Sequence, residues 1–250
     1  MPIFLAYLYG IITFLGLQAG ILKPSLFWVS LSFVLLLNIL FVWLSNRSKL
    51  DKNFFNFLIS PFIFLLSGFI FLGFADNNII RQAAVIFLSV GSAAFIKQLI
   101  LLNFHKYQYK NHSLSTVSRV LNTTTIFFWF GGVFDLYIFL KIPFWIIFPI
   151  TIAVAYLLTY QFFIINKIKI IGSQWFIPVI ALLITELFLV VFWLPLLSAV
   201  KGLLVTSFYY FFTGIAQHFF LATLTKKTYW RYGTMVLFIC ILTLLTARWN

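Results

Sequence analysis

The sequence predicts an all-α polytopic membrane bundle of about nine transmembrane helices, eight if the last apolar run falls short. Three observations carry that prediction. The chain is 63% hydrophobic and only 8% charged, whereas a water-soluble domain carries about a quarter charged residues. Its apolar residues come in continuous runs of roughly 20, the length that crosses a bilayer core. Its 17 Lys and Arg fall between those runs in alternating poor and rich groups, as in a chain that keeps its positive loops on one side of a membrane. Outer-membrane strands would alternate at every residue over about ten positions, and these runs do not.

The first run, 3–21, is closed by Lys23-Pro24, and the second is 25–44. The third, 54–74, contains Pro61; the fourth is 83–102 and the fifth 120–140. The sixth covers 143–165, the seventh 174–198, the eighth 202–225, and the ninth, the shortest, 233–247. The start has no basic stretch before the first run, so that run reads as a retained span and not a cleavable leader. The links are short, which predicts a single transmembrane domain over 1–250 with no soluble domain. Asn-x-Ser/Thr matches at Asn46, Asn111 and Asn122 fall on the side predicted to be cytoplasmic and read as chance.

Orientation follows from the bases. Arg47, Lys49, Lys52, Lys97, Lys106, Lys110, Arg119, Lys167, Lys169, Lys226, Lys227 and Arg231 lie in or beside one set of gaps. Lys23, Arg81, Lys141, Lys201 and Arg248 lie on the other side. The richer side is cytoplasmic, which places the N-terminus inside and the protein in the plasma (inner) membrane. Trp28, Trp43, Trp145, Trp175, Trp193, Trp230 and Trp249 fall near run ends, where indole prefers the headgroup level; Trp129 is mid-run. The net charge of +13 is accounted for by topology and by attraction to anionic headgroups, about 1 kcal/mol per surface base. Without a basic face or arm, no nucleic-acid partner is expected; the partners are the bilayer and a small-molecule, ion or lipid ligand. The lone Cys240 allows no internal disulfide and no Cys-based metal or redox motif. No metal and no cofactor are expected.

Ionisable groups inside spans are costly and are the default functional candidates. Of the four acids, Asp51 and Asp76 read as solvated loop charges. Glu186 stands twelve residues into the seventh run, about 18 Å of helix rise. It reads as a proton or cation site, a ligand anchor or an acid/base, or else as a neutral carboxyl bonding a neighbouring helix. A Glu186 that points to lipid, or is sealed in a dry contact, would overturn the functional site read for it here. In the eighth run Thr206, Tyr210, Thr213 and Gln217 share one face, flanked by Ser207, Gly214 and His218. Such a face lines a bundle interior or a wet cavity, either for ligand binding or for hydrogen bonding alone. Asp135 follows Gly131-Gly132, a pair that permits close helix approach or a local break. Arg119 with Asn122-Thr123-Thr124-Thr125 reads as an interfacial anchor or a cavity mouth. Lys201, in the predicted turn before the eighth run, reads as snorkelling. The segment from Gly16 to Gly20 offers small residues for close packing.

Motifs of metalloproteases, serine hydrolases, Asp-rich diphosphate sites, phosphate loops, voltage sensors and potassium filters are absent from the sequence. Three function classes follow. The first is a small transporter, channel or ligand-binding membrane protein with a polar interior from helices 5, 7 and 8, using Glu186, His218, Gln217, Tyr210 and Asp135. The second is a membrane-embedded enzyme acting on a lipid or isoprenoid with Glu186 or His218 as acid/base, its cavity opening sideways to lipid or toward the cytoplasmic headgroups and two ionisable groups within about 4–6 Å. The third is a non-catalytic assembly component whose polar groups saturate one another. The scarcity of charge and of motifs favours a non-enzyme.

Overall fold

The structure is a computed structural model that describes residues 3–47, 49–110, 112–168 and 174–246. Lys169, Asn111, Arg248 and Trp249 lie outside the described residues. Among those described, nine α-helices and no strands occur: α1 Phe4–Leu22, α2 Phe27–Ser45, α3 Lys52–Phe74, α4 Asn78–Phe104, α5 Ser113–Leu140, α6 Phe144–Ile165, α7 Phe176–Phe192, α8 Ser198–Phe220 and α9 Lys226–Thr246. Seven are long and apolar enough to cross a membrane, whereas α7 is apolar but has only 17 residues. α9 opens on Lys226, Lys227 and Arg231 and is not among the seven. The architecture is that of a helical membrane bundle.

Helix ends depart from the apolar runs for local reasons. α7 stops at Phe192, six residues before the predicted end, and Pro195, which has no N–H to continue a helix, follows. α8 starts at Ser198, so Lys201 lies in its first turn and not in a linking turn. α3 and α4 begin outside their apolar stretches because polar side chains cap them. The Asp51 side chain accepts from the Phe54 N–H at 2.9 Å, and that of Asn77 accepts from the Ile79 N–H at 2.8 Å; such caps satisfy donors left open at a helix start. Thr225 does the same for α9 through the Thr228 N–H.

The chain forms two compact units, 1–125 and 126–250. In the first, small residues set the packing. A Cβ on Gly10 of α1 would lie 2.8 Å from the Ala93 Cβ of α4, and Cβ atoms on Gly16 and Gly20 would collide with Val34 and Ser30 of α2. The Ser30 hydroxyl donates to the Gly16 carbonyl. This close approach is the role expected for Gly16–Gly20, because helices in lipid associate through packing and hydrogen bonds. Between α1, α2 and α4 lies a buried polar cluster. Asn38 Nδ2 donates to the Tyr9 hydroxyl at 2.8 Å, and Thr13 and Ser92 face the same phenol. Asn38 Oδ1 is buried and takes no hydrogen bond. Asn122 is also buried and accepts from the Ser60 hydroxyl at 2.6 Å, so it binds α3 to α5.

In the second unit, α5 runs unbroken through Gly131-Gly132. The pair serves close approach: a Cβ on Gly202 of α8 would lie 2.8 Å from the Gly131 nitrogen and 3.0 Å from the Phe127 oxygen. Phe134 of α5 packs on Phe188 and Phe192 of α7 at centroid distances of 5.0 and 6.1 Å. Phe144 of α6 joins the same cluster, 6.2 Å from Phe188. The mid-run Trp129 is buried, and its indole N–H points to the Thr151 hydroxyl of α6 at 3.4 Å. By contrast Trp28, Trp145, Trp175, Trp193 and Trp230, near helix ends, are all exposed.

Candidate functional site

The polar face of α8 divides into two parts. Thr206, Ser207 and Thr213 are buried, but each hydroxyl donates at 2.7 Å to a carbonyl of its own helix, on Gly202, Leu204 and Tyr209. Such back-bonding satisfies the hydroxyl locally. Tyr210, Gly214 and His218 then form one row at intervals of four residues, the spacing of side chains stacked along a helix. The ring of Tyr232 from α9 occupies that row. It lies so close to Gly214 that a Cβ there would be 2.5 Å from its Cε1. The Tyr210 ring is 5.1 Å from it and the His218 ring 6.0 Å. Gln217 Nε2 donates to Asn166 Oδ1 at 3.1 Å, and Asn166 Nδ2 donates to the Phe162 carbonyl at 2.7 Å.

The ends of α6 and α8 hold this cluster. Both close with a Schellman arrangement. In α8 the Ala222 and Thr223 N–H groups donate to the Phe219 and His218 carbonyls, and in α6 those of Lys167 and Ile168 donate to Ile164 and Phe163. Lys167 and Ala222 take the left-handed conformation, φ 55° and 53°, that this motif places just past a helix end. The turn of α8 puts Thr223 Oγ1 2.9 Å from His218 Nδ1. Three of the sequence-predicted residues, Tyr210, Gln217 and His218, therefore come together where α6, α8 and α9 meet. The ring and amide partners come from α9 and α6; α8 also meets α5 and α7, the helices the sequence reading set beside it. Its contact with α5 includes bare backbone at Gly131 and the Lys201 ammonium over the Phe134 ring, and its contact with α7 includes aromatic pairs such as Phe176–Phe220 at 4.9 Å.

Beside the cluster an apolar groove of about 390 Å³ runs between α8 and α9. Phe208 and Phe211 line one wall, and Gly233, Val236, Leu237 and Cys240 line the other. A Cβ on Gly233 would meet nothing within 4 Å. By helical periodicity the Gly233 face continues toward the start of α9 through Trp230 to Lys226. Both of these are exposed, as are Lys227 and Arg231.

Glu186 and Asp135 lie apart from this cluster. Glu186 is the tenth residue after Phe176, about 15 Å into α7, and it is exposed. It shares the outward face with Val179, Leu182, Leu183 and Val190, which are 38–63% exposed. The neighbouring Thr185 is buried and bonded to the Ala181 carbonyl. Asp135 is half-buried one turn beyond Gly131. Lys201 does not snorkel: it is 8% exposed, its ammonium donates to the Phe192 carbonyl at 2.9 Å, and it lies 5.0 Å over the Phe134 ring. It caps α7, since a cation is favourable at a helix C-terminus. Among the described residues, no three His, Cys, Asp or Glu gather to hold a metal.

The sequence reading missed Tyr232, Asn166 and Thr223. Gly214 and His218 at four-residue spacing were visible, but the ring that fills the row comes from another helix. Compared with protein-family models, curated proteins and solved structures, the chain matches none.

Proposed function

We propose that the protein is a ligand-binding integral membrane protein of the plasma membrane, and that it holds an anionic amphiphile at the joined ends of α6, α8 and α9. The N-terminus and these helix ends face the cytoplasm, where the base-rich gaps lie. The observation that carries the reading is the row on α9: Lys226, then Trp230, then the open position at Gly233, then the apolar groove. A base attracts an anionic head, an indole sits at headgroup depth, and a groove takes a tail. Binding is favoured over a transport path because the hydroxyls of Thr206, Ser207 and Thr213 are bonded to carbonyls of their own helix and Gln217 Nε2 is bonded to Asn166.

The test uses the full chain in maltoside micelles, with thermal unfolding measured on addition of phosphatidylglycerol or phosphatidylcholine. Phosphatidylglycerol should raise the midpoint more, and both Lys226→Gln and Gly233→Phe should remove the difference. Gly233→Phe meets open space and fills the groove, so it spares the fold. Equal effects of the two lipids, or an unchanged response in Gly233→Phe, would refute the reading.

One observation favours a second reading. The His218 and Tyr232 rings, 6.0 Å apart, adjoin a groove that opens sideways, as an enzyme acting on a lipid or isoprenoid would require. In that case His218→Gln should abolish turnover while leaving phosphatidylglycerol binding intact; a variant that keeps turnover would exclude His218 as acid/base.

A further inference from the structure

We infer that Glu186, with the groove between α6 and α7, forms a second and separate site that binds amphiphilic organic cations from the bilayer side. The groove measures about 530 Å³ and is walled by Pro149, Ala153 and Tyr156 of α6 and by Pro178, Ala181 and Leu182 of α7. The two helices run antiparallel, since Phe144 at the start of α6 meets Phe188 and Phe192 at the end of α7. Leu182 lies in the groove wall, and Glu186 is its next neighbour on the same helix row. In the antiparallel register that neighbour comes level with Pro149, at one end of the groove.

A second acceptor lies in the same turn. Pro149 has no N–H, so the Trp145 carbonyl lacks its intrahelical donor. Pro149 is exposed and in the groove wall, one turn along the helix from that carbonyl. A carboxyl group and a carbonyl deprived of its usual i+4 donor at one end of an apolar trough fit a positively charged head with a short hydrocarbon tail. A second copy of the chain fits poorly, because two such faces would bring two carboxylates together.

The probe is hexyltrimethylammonium, titrated calorimetrically into the full chain in maltoside micelles, with hexanol as the uncharged control. Saturable binding at one site is expected for the cation and none for hexanol. Glu186→Gln should weaken it at least tenfold. Leu182→Trp, which fills the groove from a position 51% exposed and so leaves the core intact, should weaken it similarly. Unsaturable uptake, or equal affinity in Glu186→Gln, would overturn the proposal. Gly233→Phe should leave this binding unchanged, so the site stands or falls independently of the α8–α9 site.

Discussion

Replacing Gly202 by Ala tests the α5–α8 contact directly. The new Cβ would lie 2.8 Å from the Gly131 nitrogen, 3.0 Å from the Phe127 oxygen and 3.1 Å from the Gly131 Cα. Ordinary contact requires about 3.5 Å or more, so the two helices must part by roughly 0.7 Å. All three opposing atoms are helix backbone, and none can rotate away. Overpacking of this kind costs about 1–3 kcal/mol. Against that, alanine gains about 1 kcal/mol of helix propensity over glycine. The comparison that isolates the clash is Gly233→Ala, where the propensity gain is the same and no atom lies within 4 Å. The propensity terms cancel, leaving a difference of about 1–3 kcal/mol between the two variants. For a chain of this size that is roughly 2–4 °C in midpoint per kcal/mol. Tryptophan fluorescence during heating in micelles reads it. If Gly202→Ala unfolds at or above the temperature of Gly233→Ala, the close approach is wrong.

Two further outcomes follow from the first unit. Asn38→Leu withdraws the donor to the buried Tyr9 hydroxyl and should cost about 1–3 kcal/mol. Adding Tyr9→Phe should recover part of it, so additive losses in the double-mutant cycle would refute the pairing. The Phe54 N–H and then the Asn46 side chain hold the Asp51 carboxyl below its ordinary range. A lowered folded value means that this carboxylate stabilises above the unfolded value of about 3.9. The contribution fades as pH falls through the folded value. Asp51→Asn still caps α3 but cannot titrate, so its deficit in melting temperature should shrink below about pH 4; a deficit constant with pH would contradict the assignment.

Apolarity in the sequence marks where a chain can sit in hydrocarbon, and seven of the runs fall in helices long and apolar enough to cross a membrane. It does not mark where a helix ends. α5 starts at Ser113 and α9 at Lys226, well before their apolar parts. α7 stops short of apolar Leu194, Leu196 and Leu197. The corrections were legible in another signal, the caps at Asp51, Asn77 and Thr225 and the break at Pro195. For the site, the search for charged groups in spans found His218 but also Glu186, which faces outward. It passed over Tyr9 and Asn38, uncharged residues whose burial depends on which helices meet. It also read Lys201 as a surface base, because only the fold shows Phe134 and Phe192 around its ammonium. Partners contributed by other helices carry no local sequence mark.

The contact of Gly202 on Gly131 also has a meaning in time. Gly202 is made roughly 70 residues after Gly131, which at usual synthesis rates is about 4–14 s later. Throughout that interval α5 carries a bare strip of backbone with its proper occupant not yet in the membrane. Any other nascent helix with a small-residue face can compete for the strip. A chaperone or insertion factor that delays release of α5 until α8 emerges would raise the yield of folded protein without touching its final stability.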